Sequence, residues 1–279
     1  MNTVPSASPP HGSDPDDLTG YVCSSTITNS QTEPGCIIKS LSFGDHGDLK
    51  KYRLQDWADE IAILELLGAH PRIVEFRGVI TSTHSIKFTT ASNGDVLRYI
   101  EKHRHIDETL RIKWCRQAAE ALVYIHSKGV IHNHLHPQNF CLDANLDLLL
   151  SDFSSAYCAA INPRLTCSLD QGFYDPRLHQ GDLTHHEICN PAVDIFALGS
   201  VMYYLVTGLF PHAQKMAEPY MDTEERDAWV KILAERFGRG EWPDLKGLDG
   251  RAAQAIEGCW DARLGSAEEV LGVLGGGDE

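Results

Sequence analysis

The stretch Val130-Ile-His-Asn-His-Leu-His-Pro-Gln-Asn-Phe-Cys-Leu-Asp143 is followed by Leu146-Asp-Leu-Leu-Leu150 and then by Ser151-Asp152-Phe153-Ser154. Two short apolar runs flank a turn at Asn145 and read as a strand pair. Polar side chains stand just outside that pair: His132, His134, His136 and Asn139 before it, Asp152 after it. An acid that ends a strongly apolar run needs a partner, because an isolated carboxylate is costly to bury. Asn139 and Asp152 lie 13 positions apart, a spacing that fits two short strands between them.

On the N-terminal side, YVCSSTITN and CIIKSL read as strands around a turn at Glu33-Pro34-Gly35. A helix is expected from about Leu49 to Leu67, with Trp57, Ile61, Leu64 and Leu67 on one apolar face. His70-Pro71 ends it, IVEFRGVIT and SIKFTTA supply further strands, and Asn93-Gly94 marks a boundary. Beyond that turn the chain becomes helical. Leu97–Lys102 is short, Glu108–Ser127 is long and stopped by Gly129, and VDIFALGSVMYYLVTG is apolar almost throughout. Three more helices are expected near Glu224–Phe237, Arg251–Trp260 and Ser266–Leu274. Five strands with one helix, then a helix-rich remainder, make an α+β pattern in two lobes.

Composition narrows the function classes. A net charge of −15, spread along 279 residues, argues against nucleic acid as the main partner, which calls for a basic face. Hydrophobic residues at 42% and charged residues at 23% are ordinary for a globular chain. No apolar run reaches the ~20 residues that would span a bilayer, so no membrane partner is expected. Residues 1–17, rich in Pro, Ser and Asp, read as a disordered tail and carry neither signal nor transit character. The eight scattered cysteines, without a C-x-x-C pair, are expected to be reduced thiols in a cytoplasmic or nuclear protein.

Taken in order, these motifs resemble the eukaryotic protein kinase domain over residues 18–275, with an N-lobe of about 18–90 and a C-lobe of about 91–275. The resemblance implies a two-lobed α+β fold, with a small strand-rich N-lobe and a larger helical C-lobe. Lys39 in CIIK is similar to the strand lysine that holds ATP phosphates, and Glu60 to its helix partner. HNHLHPQN stands where the family reads H-R-D-L-x-x-x-N, and Asp152-Phe153-Ser154 where it reads D-F-G. The resemblance therefore implies Mg²⁺ ligands at Asn139 and Asp152, and a nucleotide hinge with Phe88 as gatekeeper and backbone contacts from Thr89 to Ala91. Structural roles are implied for His132, packed under Phe153, and for Asp194, bracing the loop from VDIFALGS. The local text LLGAHPRIVEFRGV and ASNGDVLRYI is similar to kinase-like proteins of filamentous fungi.

The departures from the pattern all bear on phosphotransfer. His134 occupies the position of the aspartate that accepts the substrate proton; an imidazole is larger and neutral or cationic near neutrality. Asn133 replaces the arginine that reads a phosphorylated activation segment, and His136 stands where many relatives carry a phosphate-facing lysine. Ser154 replaces the D-F-G glycine, and Ile37 replaces a small residue over the adenine. Gly20 is the one glycine of a degraded phosphate loop, TGYVCSSTITN. Arg177 reverses the charge of an A-P-E glutamate, facing Arg263 in place of an ion pair. The expectation is a pseudokinase: a scaffold or regulator with weak ATP and Mg²⁺ binding and an unidentified protein partner.

Two other readings are open at this level. One is a slow Ser/Thr-type kinase using His134 as base. The other is a zinc site: on an extended strand, His132, His134 and His136 would share one face and together could hold the metal. Taken singly, the residues also have structural readings. Lys39 alone is an ordinary strand lysine, Glu60 an exposed helix acid, Asn139 a loop hydrogen-bonder, and Asp152 a turn cap.

Overall fold

Cys36-Ile-Ile and Ser85-Ile-Lys-Phe form strands because they carry β-branched and aromatic residues between turn formers. In the computed structural model, which describes residues 25–30, 33–41, 50–103, 105–162, 189–213 and 223–275, they build an antiparallel sheet. Its strands are β1 (Ser25–Asn29), β2 (Cys36–Leu41), β3 (Phe76–Ile80) and β4 (Ser85–Thr89), in the order β1-β2-β4-β3. The register sets Lys39 opposite Ile86 and Ile37 opposite Phe88. Gly35, at φ 74°, makes the β1–β2 turn, in a conformation that side chains with a Cβ rarely adopt.

Helix α1 (Lys50–Leu67) packs on this sheet. Its buried stripe is Glu60, Ile63, Leu64 and Leu67, while Trp57 and Ile61 are only partly buried. The expected apolar face is thus rotated, and an acid lies inside it. The chain crosses to the second lobe through Thr89–Gly94, and Asp95 caps α2 (Val96–Lys102) by accepting from the Arg98 N–H.

The C-lobe is built on α3 (Glu108–Ser127) and α4 (Pro191–Thr207). Helix α4 is buried from Val193 to Leu205, starts at the Asn190 cap and stops at Gly208, φ 73°. Helix α6 (Gly250–Trp260) packs on α4, α5 (Thr223–Gly238) meets it through Phe237 against Phe196, and α7 (Ala267–Gly275) packs on α3 and α6. At Gly199 a Cβ would come 2.8 Å from the Cys259 Cβ, so glycine lets α4 and α6 approach closely. Trp260 is fully buried beside this contact and donates its indole N–H to Ser200 Oγ at 3.0 Å.

Two short antiparallel pairs carry the polar stretch: β5 (Val130–Ile131) with β8 (Tyr157–Cys158), and β6 (Phe140–Leu142) with β7 (Leu148–Leu150). The lobes are stitched together behind them. Leu150 exchanges backbone hydrogen bonds with Arg72 and Val74, at 2.8 and 2.9 Å. His70 stacks on Tyr124 at 3.8 Å, and the Tyr124 hydroxyl donates to the Leu67 carbonyl. No described helix is long and apolar enough to cross a membrane.

Candidate functional site

Lys39 comes from the middle of β2, Glu60 from the third turn of α1, and Asp152 from the end of β7. Packing α1 on the sheet turns Glu60 towards Lys39, whose Nζ donates to Glu60 Oε1 at 2.7 Å and Oε2 at 3.0 Å. The same Nζ donates to Asp152 Oδ1 at 2.7 Å. The two side chains from the N-lobe are nearly enclosed, at 9% and 5% exposure, and Asp152 is more open at 35%. Burial alone would lower the Lys39 pKa, but the carboxylates of Glu60 and Asp152 outweigh it and raise the pKa above its ordinary value. Burial lifts the Glu60 carboxyl despite its lysine partner. Burial works against Asp152 too, yet Lys39, and then the Ser154 hydroxyl, hold it well below the usual carboxylate range. Of two carboxylates on one ammonium, Asp152 is the firmly ionised one.

Asp194 organises the loop from below. It is fully buried on α4 and accepts from the backbone N–H of His132 at 2.8 Å and of Asn133 at 2.9 Å. Its Oδ2 also lies 2.9 Å from His126 Nε2, a partner that sequence reasoning missed. The signal was there: a histidine in the last turn of an amphipathic helix, and a buried acid needing donors. His132 is fully buried, and burial lowers its pKa. Neutral, it donates from Nε2 to the Ser151 carbonyl at 3.0 Å and rests edge-on against Phe153, ring centroids 5.1 Å apart.

The three histidines do not converge. Asn133 takes φ 61°, a left-handed turn that ends the extended run, so alternation along a strand does not apply. His134 is turned towards Asn139, whose amide nitrogen lies 2.8 Å from the His134 carbonyl and 3.4 Å from its Nδ1. His136 caps the short 3₁₀ turn Pro137–Asn139, accepting from the Gln138 N–H, with its ring against Phe210 at 5.6 Å. Among the described residues, no group of three His, Cys, Asp or Glu side chains is placed to hold a metal. The zinc expectation is corrected accordingly.

Other expectations are redrawn. Phe88 is buried and lies edge-on to Phe76 at 6.4 Å. The Thr89 N–H donates to the Glu75 carbonyl at 2.9 Å and its hydroxyl to Glu75 Oε2 at 2.5 Å. Ala91 accepts from Gly94 N–H in the turn after the hinge. Arg263 pairs with Glu257 at 2.8 Å and Asp261 at 2.5 Å, while position 177 lies outside the described residues, as do Gly20 and residues 1–17. Cys189 is disulfide-bonded, which corrects the expectation of uniformly reduced thiols. Cys36, Cys115, Cys141, Cys158 and Cys259 are free.

A family model of the protein kinase domain matches residues 20–265. The chain belongs to the protein kinase family. Its kinase domain is homologous to Ser/Thr kinases. It is 28% identical over 199 residues to the serine/threonine-protein kinase PDK1 of Cryptococcus neoformans, covering 70% of this chain and 15% of that protein. It is 27% identical over 185 residues to the CBL-interacting serine/threonine-protein kinase 16 of Arabidopsis thaliana, covering 60% of this chain and 37% of the relative. With human 3-phosphoinositide-dependent protein kinase 1 the identity is 30% over 146 residues, 51% of this chain and 26% of the human one. The kinase domain thus spans well under half the length of these relatives.

Kinases of this family use ATP and Mg²⁺, and the polar cluster bears on whether this one fits them. Asp152 Oδ2 and Asn139 Oδ1 make no hydrogen bond to the described residues, leaving two oxygen donors of the kind a hard divalent cation prefers. A buried ammonium beside them suits phosphate oxygens. The donor set fits the group.

Proposed function

We propose that this kinase-family chain is a pseudokinase: a scaffold or regulator that retains a nucleotide site and has little phosphotransfer. The observation that carries the proposal is the His134–Asn139 pairing beside an intact Lys39–Glu60–Asp152 cluster. The Asn139 amide donates to the His134 carbonyl at 2.8 Å and lies 3.4 Å from its Nδ1, so a ring held beside Asn139 stands where the family places the carboxylate that accepts the substrate proton. A positioned general base contributes roughly 10²–10⁴-fold, and that factor is the size of the expected deficit. In this reading Lys39 holds the phosphates, Asn139 and Asp152 hold Mg²⁺, and Phe88, with the backbone near Ala91, borders the base. His136, in the position where many relatives carry a lysine, packs its ring against Phe210. The partner is a protein, ATP the regulating ligand, the compartment intracellular, and the local sequence character that of fungal kinase-like proteins.

Thermal-shift titration with ATP, with and without Mg²⁺, reads the nucleotide site, and radiolabelled phosphotransfer reads the chemistry. A shift with ATP and transfer at least 10²-fold below an active Ser/Thr kinase is expected. Robust transfer that is lost in Asp152→Ala overturns the pseudokinase reading in favour of a kinase that uses His134 or the substrate itself for deprotonation.

A further inference from the structure

Ser154 does more than narrow the backbone where the family has glycine. Its hydroxyl donates to Asp152 Oδ1 at 2.8 Å, the same oxygen that takes Lys39 Nζ at 2.7 Å, and its own N–H approaches that oxygen at 3.5 Å. Asp152 stands at φ 60°, a left-handed conformation that aspartate tolerates because its short side chain can hydrogen-bond locally. A glycine at 154 would supply no side-chain donor. Here one carboxylate oxygen is held by a cation from the N-lobe and a hydroxyl two residues downstream, and only Oδ2 remains open.

We infer that Ser154 is a clasp that competes with a divalent cation for Asp152, and so sets how weakly this site takes Mg²⁺. A metal binding Asp152 draws on both oxygens' electron density, either directly or by turning the carboxylate. Each hydrogen bond donated to the carboxylate lowers the charge available to the cation and holds the rotamer in place. The Ser154 hydroxyl adds a second donor to the oxygen that Lys39 already holds. Ser154 also lines the small cleft formed with Lys39, Leu41, Asp56, Trp57, Glu60 and Ile86, so the clasp closes the floor under the ion-pair cluster. It is a positioning residue: it acts on the metal through Asp152. The inference rests on the nucleotide-and-metal site proposed above and concerns its metal half alone.

The test measures Mn²⁺ binding by the paramagnetic resonance signal of free Mn²⁺, with and without ATP, for the wild-type chain, Ser154→Ala and Ser154→Gly. Alanine removes the hydroxyl and keeps the backbone restraint, whereas glycine removes both. Both variants are expected to bind Mn²⁺ about tenfold more tightly than wild type, equivalent to ~1.4 kcal/mol. Their thermal shift with metal-free ATP is expected to match wild type. Unchanged or weaker Mn²⁺ binding in both variants overturns the clasp. Tightening in Ser154→Gly alone also overturns it, since the backbone and not the hydroxyl is then responsible. Absence of Mn²⁺ binding in all three proteins overturns it as well. Tighter Mn²⁺ binding without any ATP shift supports the clasp while removing the nucleotide reading.

Discussion

Replacing Lys39 by methionine isolates the energetics of the cluster. Methionine fills the lysine's volume and deletes its charge, so the variant leaves Glu60 and Asp152 without their shared ammonium. The two carboxylates respond differently. The Asp152 side chain is 35% exposed and regains water, whereas the Glu60 side chain is 5% exposed and does not. Breaking a buried pair by removing one partner costs about 3–5 kcal/mol, and rehydration of Asp152 puts this case at the lower end, ~3 kcal/mol. For a domain of this size that corresponds to a fall in Tm of roughly 6–12 °C. Adding Glu60→Gln removes the stranded charge and should recover about half the loss. The sign of the pH dependence follows from Glu60. Burial raises its folded pKa above the unfolded value even with Lys39 present, and further without it. The folded variant then favours the proton, so its deficit against wild type shrinks as pH falls from 7.5 towards 5. Urea and thermal unfolding of wild type, Lys39→Met and the double variant at both pH values provide the measurement. A Lys39→Met protein within ~1 kcal/mol of wild type at pH 7.5, with no recovery in the double variant, would refute the buried-pair argument.

Asp56 is a second acid under strain, its carboxyl pushed up to about 6 by burial, with Asp59 adding to the effect. Its folded pKa is above the unfolded one, so its contribution to stability declines as pH rises from about 4 through 6; Asp56→Asn should gain ~1 kcal/mol at pH 8, discounted for partial exposure, and almost nothing at about pH 3 in urea unfolding. Gly199→Ala forces a Cβ to within 2.8 Å of the Cys259 Cβ and should lower stability by about 1–3 kcal/mol, read as a shift in the thermal midpoint. His134→Asp should raise radiolabelled phosphotransfer without bringing it to the rate of an active Ser/Thr kinase, because Ser154 and the sequence around Gly20 stay as they are; full restoration would show that His134 alone accounts for the deficit.

Much of the fold was legible because its signals are local. The apolar run from Val193 to Leu205 and its stop at Gly208 appear as α4, and the helix expected from Leu49 to Leu67 appears as α1. The face of α1 was misjudged for a physical reason. Hydrophobic periodicity places acids outside, but Lys39 supplies a buried charge that draws Glu60 in with Ile63 and Leu67. Lys39, Glu60 and Asp152, singled out by the kinase resemblance, meet in one ion-pair cluster. The direct Lys39–Asp152 contact was not legible, since it joins positions 113 residues apart in the chain. The Ser154 clasp was equally hidden, because a serine gives no indication from sequence of where its hydroxyl will point. Histidine spacing misled in the opposite direction: the trio has strand periodicity, and a single left-handed residue, Asn133, dissolves it.

The same residue shows why a kinase fold outlasts changes in its catalytic loop. Asp194 holds the loop through the backbone N–H groups of His132 and Asn133, and neither bond depends on which side chain stands at those positions. Any residue that tolerates φ 61° at 133 keeps the anchor, and asparagine is among the best suited to that conformation. The arginine of the family can therefore be lost without loosening the loop. Asn133 then reuses its own amide, donating to the Ser155 carbonyl at 3.2 Å on the far side of Phe153. His132 contributes a side-chain bond to Ser151 on the near side. The Asp152-Phe153 segment is tied at both flanks by neutral groups that need no phosphorylation to form. A loop held by backbone anchors and neutral amides keeps its shape while the residues responsible for proton transfer vary, so the geometry around Lys39, Glu60 and Asp152 remains intact beside a substituted base.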